Sequence, residues 1–453
     1  MLGLRGSWGI NGSQSASLSN YFNQYTTSST MYGVYAITTM SGLKLDDLRP
    51  QKKIGFNAGV NLGFLDDMIE IDLDLYQNNT KDMVMKDIPI PTTSTWNTTT
   101  KLAFGNVGSM RNKGWELSIK ANKFIKYKKF NVSATFNFGQ DNNRLLEMDS
   151  RVLEAINSVP TYDQRGTGTI YTHVAVGQPL NSIYGYKYKG VFQYTYDYLQ
   201  NYNTKMKQQD KNWNAAAYEN WINQQLAEGK TFPVVVDGNG KVVMNGNSPQ
   251  RLTYWYGATQ YNFQGGDAIY EDVNHDGTIN ELDLQYLGNS RPKLQGGFGL
   301  TIQLGNWKLV SRFTYRYGVD IINAARMGLE SMYGTENQIS TVTYRWRKDG
   351  DETVMPRALW NAGYNYQRSS RYVEDGSYLR LQNIQISYTF PKTLYKKWGL
   401  TQLSAYITMN RLFTFTKYSG LDPEKSPGTY SPAVDSNGTP VYLSVTASIS
   451  VGF

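Results

Sequence analysis

Apolar and polar residues alternate with a period of two in segment after segment of this chain. In the last of them, Val441, Leu443, Val445, Ala447, Ile449, Val451 and Phe453 share one parity, and Tyr442, Ser444, Thr446, Ser448, Ser450 and Gly452 the other. Ile69, Ile71, Leu73 and Leu75 alternate with Glu70, Asp72, Asp74 and Tyr76. Trp115, Leu117, Ile119 and Ala121 alternate with Glu116, Ser118, Lys120 and Asn122. The same rhythm returns over Phe130–Phe138, Phe298–Leu304, Trp307–Tyr317 and Leu403–Met409. Successive side chains of a strand point to opposite faces, so each segment predicts a strand with one apolar and one polar face. Each has about the 9–11 residues of a tilted membrane-crossing strand, longer than most strands of a soluble sandwich.

The connections alternate as well. Short turns fall at 65–67, 124–128, 305–306 and 391–400, and long excursions at 11–52, 85–102, 141–293, 319–376 and 417–440. Tracing the chain through them predicts ten strands, at about 2–10, 53–64, 68–83, 103–123, 129–140, 294–304, 306–318, 377–390, 402–416 and 441–453. In one strand the parity slips: Leu379 and Leu381 are odd, whereas Ile384, Ile386, Tyr388 and Phe390 are even, which predicts a bulge near Gln382-Asn383. The rhythm predicts an all-β fold: a transmembrane antiparallel β-barrel of about ten strands with long extracellular loops. Trp8, Trp115, Trp307 and Tyr76 lie near strand ends, where an aromatic girdle is expected. A partial barrel would leave open edges in lipid, and loops this long favour a larger parent barrel. No apolar run approaches the ~18 residues of a spanning helix.

Composition removes several functional classes. The 453 residues contain no Cys, so disulfide frameworks and thiolate metal sites are excluded. The two His, His173 and His275, leave little material for His-based zinc chemistry or a His general base. Lys and Arg number 45 against 37 Asp and Glu, a net charge of +8, but the bases are dispersed and follow no nucleic-acid motif. Lys120, Lys308, Arg312 and Arg316 fall on the polar parity of strands, as charges lining a wet lumen would. No nucleophile elbow, zinc-protease motif or phosphate-binding loop is present, and the chain is expected not to be an enzyme.

One ligand motif keeps strict spacing. Asp272, Asn274 and Asp276 occupy positions 1, 3 and 5 of a twelve-residue calcium loop, with Gly277 at the sharp turn. The Thr278 carbonyl, Asn280 and Asp283 fill positions 7, 9 and 12. Asp in place of Glu at the last position shortens the closing arm, as in dockerin-like loops. The expected ligand is Ca2+ in a structural role; an Asx-rich turn without metal gives the same spacing. The long 141–293 excursion, which carries this loop at 272–283, is read as an extracellular insertion. It is also rich in aromatic residues, among them Trp213, Tyr218, Trp221, Tyr254, Trp255 and Tyr256. Such rings beside Asn and Gln suit sugar faces or a protein partner; packing within the loop is the equal alternative.

Several stretches together resemble the C-terminal barrel half of SusC/RagA-like TonB-linked outer-membrane proteins. They are Leu4–Gly12, Asn106–Leu117, Tyr184–Phe192, Tyr270–Gly277, Val373–Ile384 and Leu412–Glu424, and the terminal Phe453 looks like a barrel-assembly signal. The resemblance runs over residues 1–453. It implies a plugged transporter (about 22 strands in such proteins), located in the cell outer membrane and embedded in its lipid. It implies TonB-dependent import of oligosaccharides or peptides, a lid formed by a SusD-like surface lipoprotein, and energy from the TonB complex. On this reading Met1 marks a truncation, and the plug and TonB box are missing. Two other readings remain: an autonomous outer-membrane porin or adhesin, and a secreted calcium-bound glycan-binding β-protein.

Overall fold

The computed structural model describes residues 2–13, 24–32, 35–42, 48–89, 101–157, 173–256, 259–360, 362, 364–439 and 441–453. Ten strands form one antiparallel sheet: β1 (Leu2–Ser13), β2 (Gln51–Phe64), β3 (Ile69–Pro89), β4 (Lys101–Tyr127), β5 (Phe130–Met148), β6 (Leu294–Leu304), β7 (Trp307–Tyr317), β8 (Tyr378–Thr389), β9 (Gln402–Thr416) and β10 (Ser444–Gly452). They are hydrogen-bonded in chain order. All ten correspond to the alternating segments. β3, β4 and β5 continue several residues further toward the long loops than the alternation reaches, because there the strand side chains pack on the loops and the simple two-faced pattern lapses.

The register explains why the pattern was so regular. One row across the sheet runs Leu4, Val60, Leu73, Leu117 and Phe138, then continues through Gly296, Tyr315, Leu379 and Phe415. The neighbouring row runs Arg5, Gly59, Asp74, Glu116, Gly139, Gln295, Arg316, Tyr378 and Thr416. Apolar residues therefore line one face and polar residues the other. On the apolar face Leu4, Trp8, Phe56, Leu75, Phe136, Ile407, Phe415, Val445 and Ile449 are exposed, and among the described residues no second layer covers them. Phe298 and Phe313 stack at 4.4 Å within it, a cross-strand pair that adds to the backbone ladder.

Three of the short turns fall where expected; the turn expected at 124–128 is tighter, because β4 stays paired with β5 to Tyr127 and Lys128-Lys129 turn the chain. Gly305 takes φ +57° between β6 and β7, where a two-residue hairpin needs a left-handed residue. The parity slip in β8 is a bulge: pairing skips Gln382 against both neighbours, with Arg312 opposite Asn383 and Phe313 opposite Leu381.

Two parts of the expected fold class are corrected. Among the described residues the sheet is not closed into a barrel: β1 pairs only with β2 and β10 only with β9, so each end strand keeps one free edge. Alternation reports which way side chains point, but closure depends on strand number, tilt and stagger, which no single strand encodes. Nor is the chain all-β. Helices at Ser150–Asn157, Tyr196–Gln209, Ala215–Ala227 and Ala324–Glu330 lie in the long connections. Their own cores order them, with Asn214 and Thr195 capping two of the N-termini.

The connections β5–β6, β7–β8 and β9–β10 fuse into one loop body at one end of the sheet. Residues Asp320–Asn323 pair with Val373–Asp375 and with Val434–Asp435, which joins two of them. Asn181 Nδ2 donates to the Gly428 and Ser431 carbonyls at 2.8 and 2.9 Å, which joins the third.

The bulge gives a direct test of register. Deleting Gln382 leaves Leu381 outward and Asn383 inward, so refolding in detergent should be retained. Deleting Gln385 turns Ile386 and Tyr388 to the polar face and should abolish it. Far-ultraviolet circular dichroism and the trypsin-resistant fraction distinguish the two.

Candidate functional site

The polar face of the sheet forms a groove of about 510 Å³, with Asp72, Asp74 and Glu116 at one side and Arg316, Tyr378 and Glu424 at the other. β3 and β4 supply the acids because their polar parity carries them, and β7 and β8 supply Arg316 and Tyr378 for the same reason. Glycines in the centre leave the floor low. Gly139 stands in the polar row, where an added Cβ would lie 3.7 Å from the Glu116 side chain. Arg5 forms an ion pair with Asp74 across the wall, and Lys120 reaches Glu70 at 3.5 Å. The groove offers donors and acceptors of both signs to a hydrated solute.

The loop body closes one end of this face and is held by buried charge. Glu330 is 1% exposed. It pairs with Arg371 at 2.8 Å and with Arg326 at 2.8 Å, and Arg326 reaches Glu374 at 3.1 Å. Glu374 also accepts the Ser419 N–H at 2.9 Å. Asp267, fully buried, pairs with Arg357 at 2.7 Å and accepts from the Tyr261 hydroxyl at 2.6 Å. Arg380 reaches from β8 to Asp422 and Glu424. None of these networks was legible in the sequence. Partners such as Asp267 and Arg357 lie 90 residues apart, and no local spacing marks them.

The aromatic candidates separate into two cores. Tyr218 is fully buried in the helical core with Trp221 and Trp213 packed beside it. Trp221 stacks on Tyr202 at 3.8 Å, and the Trp213 indole donates to Asn203 at 2.9 Å. Tyr254 is buried in the other core, against Tyr186, Phe263 and Tyr364. Trp255 points outward, half exposed; the Tyr256 side chain lies outside the described residues. The structure does not bring the five described rings together as one surface.

The 272–283 loop is tightly ordered by its own side chains. Asp272 Oδ2 accepts the Gly277 N–H at 2.9 Å, and Asp276 Oδ1 the Thr278 N–H at 2.8 Å. Asn274 Oδ1 accepts the Asp276 N–H at 3.1 Å, and Asn280 Oδ1 the Leu282 N–H at 2.8 Å. Asp283, fully buried, accepts from Val273 and Asn280, each at 2.8 Å. Burial raises the Asp283 carboxyl above its ordinary value, and nearby Asp272 and Asp276 push the same way. Gly277 has φ +83°, and a Cβ there would strike Val235. Asp272 Oδ1 is buried with no hydrogen-bond partner. Among the described residues no group of three His, Cys, Asp or Glu is arranged to hold a metal by itself. A cation here would need Asn274, Asn280 and the Thr278 carbonyl as well.

Comparison with known proteins places these features. The family described as "TonB dependent receptor-like, beta-barrel" matches residues 2–225. TonB-dependent receptor P3 of Formosa agariphila is 26% identical over 429 residues, which is 93% of this chain and 35% of that protein. TonB-dependent receptor SusC of Bacteroides thetaiotaomicron is 24% identical over 469 residues, 100% of this chain and 37% of that protein. The chain is similar to SusC/RagA-type TonB-dependent outer-membrane transporters, with the family model matched over part of its length. It is located in the outer membrane, and it is not an enzyme, since the family is one of non-catalytic receptors and transporters. The fold agrees: the RagAB peptide transporter superposes with a TM-score of 0.66 at 23% identity, covering 100% of this chain and 41% of that one. A RagAB peptide importer in its closed-closed state gives 0.67 at 24%, with 100% and 41% covered. The chain spans about a third of the length of the curated relatives it matches.

The buried network makes a stability prediction. Glu330→Ala strands the buried Arg371 charge and leaves Arg326 with Glu374 alone, and should cost about 3–5 kcal/mol. Lys120→Ala, which removes a half-exposed pair, should cost less than ~1 kcal/mol. Denaturant unfolding of the two variants in the same detergent checks the contrast.

Proposed function

We propose that this chain supplies wall and outer loop body to a TonB-dependent outer-membrane importer of oligosaccharides or peptides. A SusD-like surface lipoprotein would cover the loop body, and the TonB complex would supply the energy. The observation that carries the reading is the two-faced sheet, apolar toward lipid and polar along the groove, in a chain similar to TonB-dependent receptors over nearly its whole length. The 141–293 insertion is read as extracellular, because it lies at the long-loop end of the sheet. The groove carries charges of both signs beside uncharged amides, which suits a large hydrated solute crossing in contact with the wall. A free-standing porin is the weaker reading, because the wall supplied here keeps two free edges.

In cells carrying the full parent gene, Glu116→Lys together with Asp74→Lys should reduce uptake of labelled oligosaccharide or peptide at least tenfold, with outer-membrane abundance unchanged. Unaltered uptake of both solute classes would remove the groove from the path. Co-purification should recover a surface lipoprotein with the intact loop body.

We also propose that the 272–283 loop binds Ca2+ in a structural role. The unpartnered Asp272 oxygen and the crowding of Asp272, Asp276 and Asp283 support this reading, since a divalent cation would supply the missing partner and offset the repulsion. Calcium should raise the melting temperature and chelation lower it, and Asp272→Ala should remove the response. A melting curve indifferent to calcium and chelator would leave the loop as an Asx-rich turn.

A further inference from the structure

The short-turn end of the sheet carries charge that neither the groove nor the loop body explains. Residues 123–130 hold Lys123, Lys126, Lys128 and Lys129, and residues 391–400 hold Lys392, Lys396 and Lys397, with no acidic residue in either stretch. All seven lysines are exposed, and among the described residues none forms an ion pair. The two stretches are the β4–β5 and β8–β9 turns, so they lie about four strand spacings apart, roughly 19 Å along one rim.

Exposed rings accompany the charges. Tyr127 is 67% exposed and Trp398 64%. Lys128 Nζ lies 5.4 Å from the Tyr127 ring centre, and Lys397 Nζ 5.8 Å from that of Trp398. Cross-strand register continues this into a row at the end of the apolar face: Tyr127 opposite Phe130, Phe130 opposite Leu304, Leu304 opposite Trp307, and Trp307 opposite Tyr388. Aromatic residues at this height occupy the boundary between hydrocarbon and headgroups. Lys128, Lys129, Lys396 and Lys397 sit just beyond them, with apolar stems that can follow the rings and charged ends that reach outward, and Lys126, opposite Asn131, ends the polar face at the same height. A clustered positive charge at that depth attracts anionic headgroups, and the attraction is local because it decays within a Debye length.

We propose that the short-turn rim is a seat for anionic phospholipid headgroups, formed by Lys126, Lys128 and Lys129 on one turn and Lys396 and Lys397 on the other. It rests on the outer-membrane placement of the sheet and is independent of what the groove carries. The seat would fix how deep the sheet sits and which lipids surround its short-turn edge.

The test uses the full parent protein reconstituted in vesicles of phosphatidylcholine alone or mixed with phosphatidylglycerol. Retained lipid is counted by native mass spectrometry after extraction. The wild type should keep phosphatidylglycerol in preference to phosphatidylcholine, and the preference should weaken as salt rises. Replacing the five lysines by Gln should reduce the preference about tenfold. Replacing Lys205, Lys207 and Lys211 by Gln, on the loop body, should leave it intact. Equal preference in wild type and the five-lysine variant overturns the proposal, as does a preference that inorganic phosphate abolishes, since that marks a free-anion site. Failure of every protein to insert in either vesicle overturns the membrane placement itself.

Discussion

The structure depends on one constraint: across the ten paired strands residues of like polarity mostly stand opposite one another, as in the row from Leu4 to Phe415 and the neighbouring row from Arg5 to Thr416. A strand displaced by one residue would put Asp72, Asp74 and Glu116 among the apolar face's side chains and bring Leu73, Leu117 and Phe138 to the groove. The backbone amides of the eight inner strands have partners on both sides within the sheet, whereas among the described residues β1 and β10 have a paired neighbour on one side only. The groove, the glycine floor and the aromatic row at the short-turn end follow from that register. The bulge at Gln382 shows how strictly it holds, since one extra residue is expelled from pairing and both flanks keep their faces.

The loop body obeys a different rule. It lies outside the sheet, has no alternation to order it, and is held by aromatic cores and by buried ion pairs between distant segments. Glu330, Arg371, Arg326 and Glu374 join the β7–β8 connection to itself and, through Ser419, to the β9–β10 connection. Buried pairs add less to net stability than their number suggests, but losing one partner is severe, so they define one arrangement of the loops. A body of this kind presents a fixed outer surface for recognition while the sheet below supplies the wall. The aromatic residues that looked like a recognition surface serve chiefly to build it. Tyr218 and Tyr254 are interior, and Trp213 and Trp221 are engaged by neighbours.

The kinship with SusC/RagA-type transporters and the physical reading converge on the same features. The family match covers the first half of the chain, where the acidic side of the groove lies, and the fold match extends to the end. The free edges of β1 and β10 describe the sheet as it stands, a wall open on both sides.

The sequence by itself determined the ten strands, their faces, the short-turn and long-loop ends, the bulge in β8 and the family resemblance. These are local properties: a strand's two faces are written residue by residue, and a hairpin's turn is written in two or three positions. It also marked the 272–283 loop, because that motif lies within twelve consecutive residues. Only the tertiary structure decided that the sheet stays open, that helices occupy the long connections, that the aromatic rings divide between two cores, and that Asp267 meets Arg357 across 90 residues. Closure, packing and long-range ion pairing depend on how separate segments meet in space, and alternation along the chain carries no record of that meeting.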